Sequence, residues 1–140
     1  MAHQNPPDDD VRALLDSAHT IAVVGASSNP MRSSNGVMSR LLQLGYRVIP
    51  VNPNETEVLG QKAYGSLADV PVPIDIVDVF RRDPHTPGVA DEAVKAHAKA
   101  LWLQQGLWNE DAAARAKAGG LTVVMDECLG VVASVLKSRR

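Results

Sequence analysis

Five apolar stretches recur along the chain, at residues 20–25, 46–51, 74–80, 100–104 and 121–125, each bounded by turn residues or by a segment of helical periodicity. Most run almost continuously in Val, Ile and Leu, as in IAVVG, VIPV, IDIVDVF and LTVVM, without the polar alternation of a strand that has one wet face. Such runs suit strands of a parallel sheet covered on both faces by helices. The intervening segments supply the cover. Residues 35–44 carry Val37, Met38, Leu41, Leu42 and Leu44 at helical spacing and stop at Gly45, a residue able to take the left-handed conformation past a helix end. Thr86 followed by Pro87 predicts an N-cap and first helical position, opening a helix that runs to about Lys99. Asn109 predicts the cap of an alanine-rich helix whose acids, Glu110 and Asp111, precede its bases, Arg115 and Lys117, in agreement with the helix dipole. Gly119 and Gly120 end it, and two further helices are expected at 10–18 and from about 127 to 137.

Strand alternating with helix through short connections predicts a three-layer, doubly wound, Rossmann-like α/β domain. Its five-stranded parallel sheet is expected in the order 3-2-1-4-5. At 140 residues the chain has the size of one domain, 1–140, with residues 1–9 expected to be flexible and 138–140 frayed.

Apolar residues make up 45% of the chain and charged residues 21%, the balance of a packed globule with an aliphatic core. A net charge of −2, with Lys and Arg scattered, provides no broad positive face, so neither nucleic acid nor an anionic membrane is an expected partner. The polar, acidic first ten residues and the strand-sized apolar runs predict a cytoplasmic protein without export or anchor. The single cysteine, Cys128, and the four histidines show no metal-ligand spacing, so no metal site is expected.

In a doubly wound sheet, ligands bind beyond the carboxyl ends of the strands, where the winding reverses. The loop after the first strand, Gly25-Ala26-Ser27-Ser28-Asn29-Pro30-Met31-Arg32, joins a buried strand to a helix N-terminus and offers free N–H groups and hydroxyls to a phosphate. Arg32 adds a guanidinium. The loop is neither G-x-G-x-x-G, since Ser27 and Pro30 stand where glycines belong, nor a Walker A loop. The second strand ends Val51-Asn52-Pro53-Asn54, without the acid that holds a ribose hydroxyl in NAD-binding domains. The third ends Phe80-Arg81-Arg82, an aromatic ring and two cations suited to a phosphate-bearing ligand with an adenine ring. The fourth ends Gln104-Gln105-Gly106, where glycine permits close approach and the amides offer donors and acceptors.

The phrases IAVVGASSNP, GYRVIPVNP, PIDIVDVFR, LWLQQG and MDECL, with Leu59-Gly60 and Tyr64-x-Ser66-Leu67, run in order through most of the chain. In them the chain resembles the family of small stand-alone CoA-binding proteins, similar to the CoA-binding domain of the succinyl-CoA synthetase α subunit. The resemblance implies coenzyme A or an acyl-CoA as ligand. It implies phosphate contacts from Gly25, Ala26, Ser27 and Ser28 with Pro30 and Arg32 nearby, and Asn52 and Pro53 beside the nucleotide. It also places Phe80 and Arg81 at that end, Gln104 and Gly106 along the pantetheine, and Lys62 as a further phosphate contact. The synthetase reaction needs a second domain with a phosphorylated histidine and a partner subunit, for which this chain has no room, so ligase activity does not carry over.

No Ser/His/Asp set of recognisable order is present, and no catalytic residue is assigned. Asp75 and Asp78 fall on opposite faces of their strand, and with Asp126 are expected to serve as hydrogen-bonding groups at element ends. Cys128 alone has covalent potential. The expected function is therefore a non-catalytic CoA-binding module; a protein partner or homo-oligomer stays open. The alternatives are an NAD(P)-type dinucleotide-binding oxidoreductase and a CoA-thioester enzyme that uses Cys128 or a partner.

Overall fold

A computed structural model of the chain describes residues 2–137. In chain order the elements are α1 (Asp8–Ser17), β1 (Thr20–Val24), α2 (Ser33–Gln43), β2 (Arg47–Val51), a two-stranded hairpin of β3 (Glu57–Val58) and β4 (Gln61–Lys62), β5 (Ile76–Val79), α3 (Thr86–Lys95), β6 (Ala100–Leu103), α4 (Glu110–Ala118), β7 (Thr122–Val124) and α5 (Leu129–Leu136). The five apolar stretches form one parallel sheet in the order β2-β1-β5-β6-β7. The architecture is the expected Rossmann-like α/β fold. The strand order differs from 3-2-1-4-5: the third long strand, β5, lies against β1 instead of outside β2.

The outer edge of β2 is taken by the segment that follows the hairpin. Tyr64 pairs with Val51 in parallel, its N–H donating to the Pro50 carbonyl (3.0 Å) and its carbonyl accepting from Asn52 N–H (2.8 Å). The chain then crosses back over β1, and the winding reverses between β1 and β5. That pair of strands is the switch point where such folds hold ligands.

Side chains alternate between the two faces of each strand. Ala22, Val24, Val77, Val79, Leu101 and Leu103 pack toward α3 and α4, which answer with Ala90, Ala93, Ala112 and Ala116. Ile21, Val23, Ile76 and Trp102 pack toward α1, α2 and α5 through Leu15, Met38, Leu41 and Leu129. Trp102 is fully buried in that layer, its indole N–H donating to the Glu127 carbonyl (2.8 Å). Among the described residues no helix is long and apolar enough to cross a membrane, and no group of His, Cys, Asp and Glu is placed to hold a metal ion.

Three helices close in the same way. After α2, α3 and α4 the paired bonds Tyr46 N–H to Leu41 O with Gly45 N–H to Leu42 O, Ala98 to Ala93 with His97 to Val94, and Leu121 to Ala116 with Gly120 to Lys117 satisfy the last carbonyls. Gly45 and Gly120 supply the left-handed residue in two of them, but His97 (φ 56°) supplies it after α3. The predicted extension of α3 to Lys99 is therefore corrected: the helix ends at Lys95, at a stop marked by no glycine. Its start also differs. A 3₁₀ turn, Asp83–His85, precedes it, and Thr86 lies inside the first turn, donating its hydroxyl to the Asp83 carbonyl (2.8 Å) instead of capping. Asn109 caps α4 as predicted, accepting from Ala112 N–H (2.9 Å).

Residues 3–5, within the segment expected to be flexible, pack against α4 and the end of β7. His3 is 4% exposed, donates its backbone N–H to Glu110 Oε1 (2.8 Å) and packs its ring 5.6 Å from that of Trp108. The Asn5 side chain accepts from Met125 N–H and donates to Met125 O, both at 2.8 Å, pairing with the end of β7 as a neighbouring strand would. Residues 138–140, expected to fray, lie outside the described residues.

The carboxylates divide. Asp75 Oδ2 accepts from the N–H groups of His19 (2.7 Å) and Thr20 (3.0 Å), and Lys99 lies 3.4 Å from Oδ1. Burial raises its carboxyl, but the bonds from Thr20 and His19, with Lys99, outweigh it and leave the group below its ordinary value. Asp126 serves as expected, accepting from Gly106 N–H (2.7 Å). Asp78 departs from the expectation: it is fully buried in the central strand, neither oxygen has a hydrogen-bond partner, and burial pushes its carboxyl well above the usual range.

Candidate functional site

An open cleft of about 580 Å³ lies across the carboxyl ends of β1, β5 and β6, at the reversal of winding. Its floor depends on Gly25. This residue has φ 89°, and a Cβ placed on it would stand 2.5 Å from the Phe80 carbonyl oxygen. Any side chain there would force β1 and β5 apart at the switch point, and only glycine takes this backbone conformation without strain. Gly25 N–H donates to Val51 O (2.9 Å), which ties the turn to β2 as well.

Beyond Gly25 the loop is folded on itself by its own polar side chains. Ser27 Oγ accepts from Asn29 N–H (3.1 Å), and Asn29 Oδ1 accepts from Met31 N–H (2.9 Å). Asn35 donates its amide to the Ser27 carbonyl (3.0 Å), and Asn52 donates to that of Ala26 (2.9 Å). The loop delivers the chain into α2 with Arg32 at the N-cap, no side chain bonded across the cap and no acid in the first turn. Ser27, Arg32, Ser33 and Ser34 all line the cleft. The positive end of an 11-residue helix thus opens on it beside a guanidinium and three hydroxyls, an arrangement suited to an anion such as phosphate.

The remaining walls come from the other strand ends. Phe80, Val37 and Leu107 give an apolar surface, and Asn52, Gln104, Gln105 and Cys128 complete the lining. Gln104 is buried and uses its Oε1 to accept Leu129 N–H (3.0 Å), holding the start of α5. Gly106, at φ 89°, donates its N–H to Asp126 in the turn between Gln105 and Leu107. Cys128 is half-buried at the N-cap of α5.

Of the residues singled out in the sequence, Gly25, Ser27, Arg32, Asn52, Phe80 and Gln104 meet in this cleft. Ala26 is buried beneath the loop, while Ser28 and Pro30 are exposed and stand outside the lining. Pro53 and Gly106 also stand outside it. Arg81 is exposed, its Cδ 3.4 Å from where a Cβ of Gly25 would be, so it borders the floor without lining it. Lys62 does not reach the cleft: it sits on the β3–β4 hairpin with Nζ 5.3 Å from the centre of the Tyr64 ring. Beyond Phe80, sequence reasoning missed the apolar wall. Val37 is read from the periodicity as a core position of α2, and Leu107 carries no signal of its own. It also missed Glu55, whose Oε2 accepts from both the N–H (2.8 Å) and the hydroxyl (3.1 Å) of Ser28.

A doubly wound parallel sheet with an anion-suited loop and an apolar wall at its switch point defines a Rossmann-like α/β domain. The chain belongs to the CoA binding domain family, whose model matches residues 19–134. It is 46% identical over 134 residues to the uncharacterised protein YneT of Bacillus subtilis, covering 96% of this chain and 99% of that one. A solved structure of a hypothetical protein from Pyrococcus horikoshii superposes with a TM-score of 0.90 at 38% identity, covering 97% of this chain and 99% of that one. The α subunit of an ADP-forming acetate–CoA ligase II from Pyrococcus furiosus is 42% identical over 57 residues, 40% of this chain and 12% of the ligase subunit. The chain therefore matches a small part of the ligase and nearly the full length of the other two.

Proposed function

We propose that the protein binds coenzyme A or an acyl-CoA in this cleft, as a binding module without catalytic machinery of its own. The observation that carries the reading is the convergence of the uncapped α2 N-terminus, Arg32 and Ser27 on one end of a cleft whose other surface is Phe80, Val37 and Leu107. A ligand with phosphates at one part and apolar or aromatic groups at another matches that division. The phosphates would meet Gly25, Ser27 and Arg32, with Arg81 at the border, while Asn52 lies beside the nucleotide and Gln104 beside the pantetheine. Family membership supports the choice of CoA.

NAD is the disfavoured ligand. Asn52 stands where a ribose-binding acid would be, and its amide is engaged with Ala26 O. Catalysis by Cys128 is disfavoured because no hydrogen-bonded base activates the thiol among the described residues. A cytoplasmic carrier, storage or regulatory role follows from binding without chemistry.

The test is calorimetric titration with CoA of the wild type, Arg32→Ala and Arg81→Ala. Arg32→Ala should lose about 10- to 150-fold in affinity, the equivalent of a charge-assisted phosphate contact of roughly 1.5–3 kcal/mol. Arg81→Ala, at the border, should lose less. Unchanged affinity in both, with the fold intact by circular dichroism, would show that the phosphates sit elsewhere.

A further inference from the structure

The loop after β2 lays a carboxylate onto the loop after β1. Glu55 Oε2 receives the backbone N–H and the hydroxyl of Ser28 at 2.8 and 3.1 Å. Behind it, Asn52 O accepts Glu55 N–H (3.2 Å) and the Asn52 amide donates to Ala26 O (2.9 Å). Residues 52–55 and 26–28 are thus joined at two points. One anionic oxygen taking two convergent donors from a single residue is the arrangement a phosphate oxygen makes on a loop of this kind. No Lys or Arg forms an ion pair with Glu55 among the described residues. The negative charge at Ser28 is therefore balanced by the loop's own donors.

We propose that Glu55, held on Ser28 just outside the cleft lining, opposes an anion bound at the neighbouring Ser27 and Arg32, and so sets how tightly this loop holds a phosphate-bearing ligand. The choice of CoA as that ligand rests on the function proposed above. A phosphate arriving at Ser27 and Arg32 sits beside a charge of its own sign. That lowers affinity, and the effect is screened by salt.

Three proteins decide the matter: the wild-type chain, Glu55→Gln and Glu57→Gln, each titrated with CoA by calorimetry at low and at high salt. Glu55→Gln keeps the shape and an acceptor oxygen and removes the charge. Glu57 is exposed on β3, in register with Lys62 and away from the loop, so Glu57→Gln makes the same change in net charge elsewhere. Glu55→Gln should bind CoA about fivefold more tightly at low salt, the Coulomb cost of two like charges about 4 Å apart in water. The gain should shrink at high salt, and Glu57→Gln should bind as the wild type does. Affinity that is equal or weaker in Glu55→Gln overturns the proposal and makes Glu55 a strut between the loops. An equal gain in Glu57→Gln overturns it also, in favour of bulk charge. If no protein binds CoA, the ligand assignment fails and the opposition is judged by titrating inorganic pyrophosphate against the Ser28 amide resonance. A response at lower pyrophosphate in Glu55→Gln upholds the opposition, and identical titrations overturn it.

Discussion

Replacing Asp78 by valine should make the protein more stable. Asp78 lies in β5, between Val23 of β1 and Trp102 of β6, on the same face as Ile76, and is fully buried with both carboxyl oxygens unpartnered. A buried polar group left without a partner costs about 1–3 kcal/mol. Valine is apolar, β-branched and suited to a central strand, so the substitution removes that cost. The expected gain is about 1–3 kcal/mol, which at this size raises the melting temperature by roughly 3–5 °C per kcal/mol.

The pH dependence gives a second, independent signature. Burial raises the folded-state carboxyl well above its ordinary value, so above the ordinary carboxylate range the unfolded chain has released a proton that the folded chain retains. The contribution of Asp78 is therefore most favourable in acid, declines as pH rises from the ordinary carboxyl value toward the raised folded-state value, and is constant beyond it. Urea unfolding of wild type, Asp78→Val and Asp78→Asn across that range reads both effects through the midpoint at constant m-value. Asp78→Asn should lose this pH-dependent component while keeping an unsatisfied polar group, and Asp78→Val should lose it and gain stability as well. If Asp78→Val is less stable than wild type, or both variants retain the wild-type decline with pH, the side chain has a partner or is charged and the reasoning fails.

Gly25→Ala should destabilise the fold by at least about 1–2 kcal/mol from the left-handed backbone alone, with a further loss as the Phe80 carbonyl is pushed away, and should weaken CoA binding in the same titration. Gly36→Ala is the matched control: it lies in α2 with nothing within 4 Å of the added Cβ, and should stabilise by up to about 1 kcal/mol in denaturant unfolding. Asn109→Ala removes the cap of α4 and should cost about 1 kcal/mol by the same measurement. Asn5→Ala should release residues 2–5 from the end of β7, seen as faster hydrogen exchange at Met125 N–H.

The layers of this fold were legible because each long strand is a near-continuous apolar run, and its helices because Gly45, Asn109 and Gly120 carry their conformational preferences openly. The order of the strands was less legible. It turns on the hairpin of β3 and β4 and on Tyr64, and two-residue strands leave no periodicity to read. The end of α3 was hidden for a related reason, since His97 takes a left-handed conformation that its residue type does not announce. In the site, the glycine turn, Ser27 and Arg32 could be found because the loop and helix start are contiguous in sequence. The rest of the apolar wall beside Phe80 could not, because Val37 reads as an ordinary helix-face residue until the sheet order sets α2 beside the cleft. Glu55 was invisible because its partner, Ser28, lies 27 residues away. Asp78 inverts the usual inference: its position suggested a hydrogen-bonding role, and the burial that makes it conspicuous also removes every partner.

CoA binding is tested most plainly by calorimetric titration of the wild-type protein with CoA, acetyl-CoA and NAD at one fixed, moderate salt concentration. CoA or its thioester should bind saturably at one site per chain, with no response to NAD. Binding of NAD in preference to CoA, or no binding of any of the three, would contradict it.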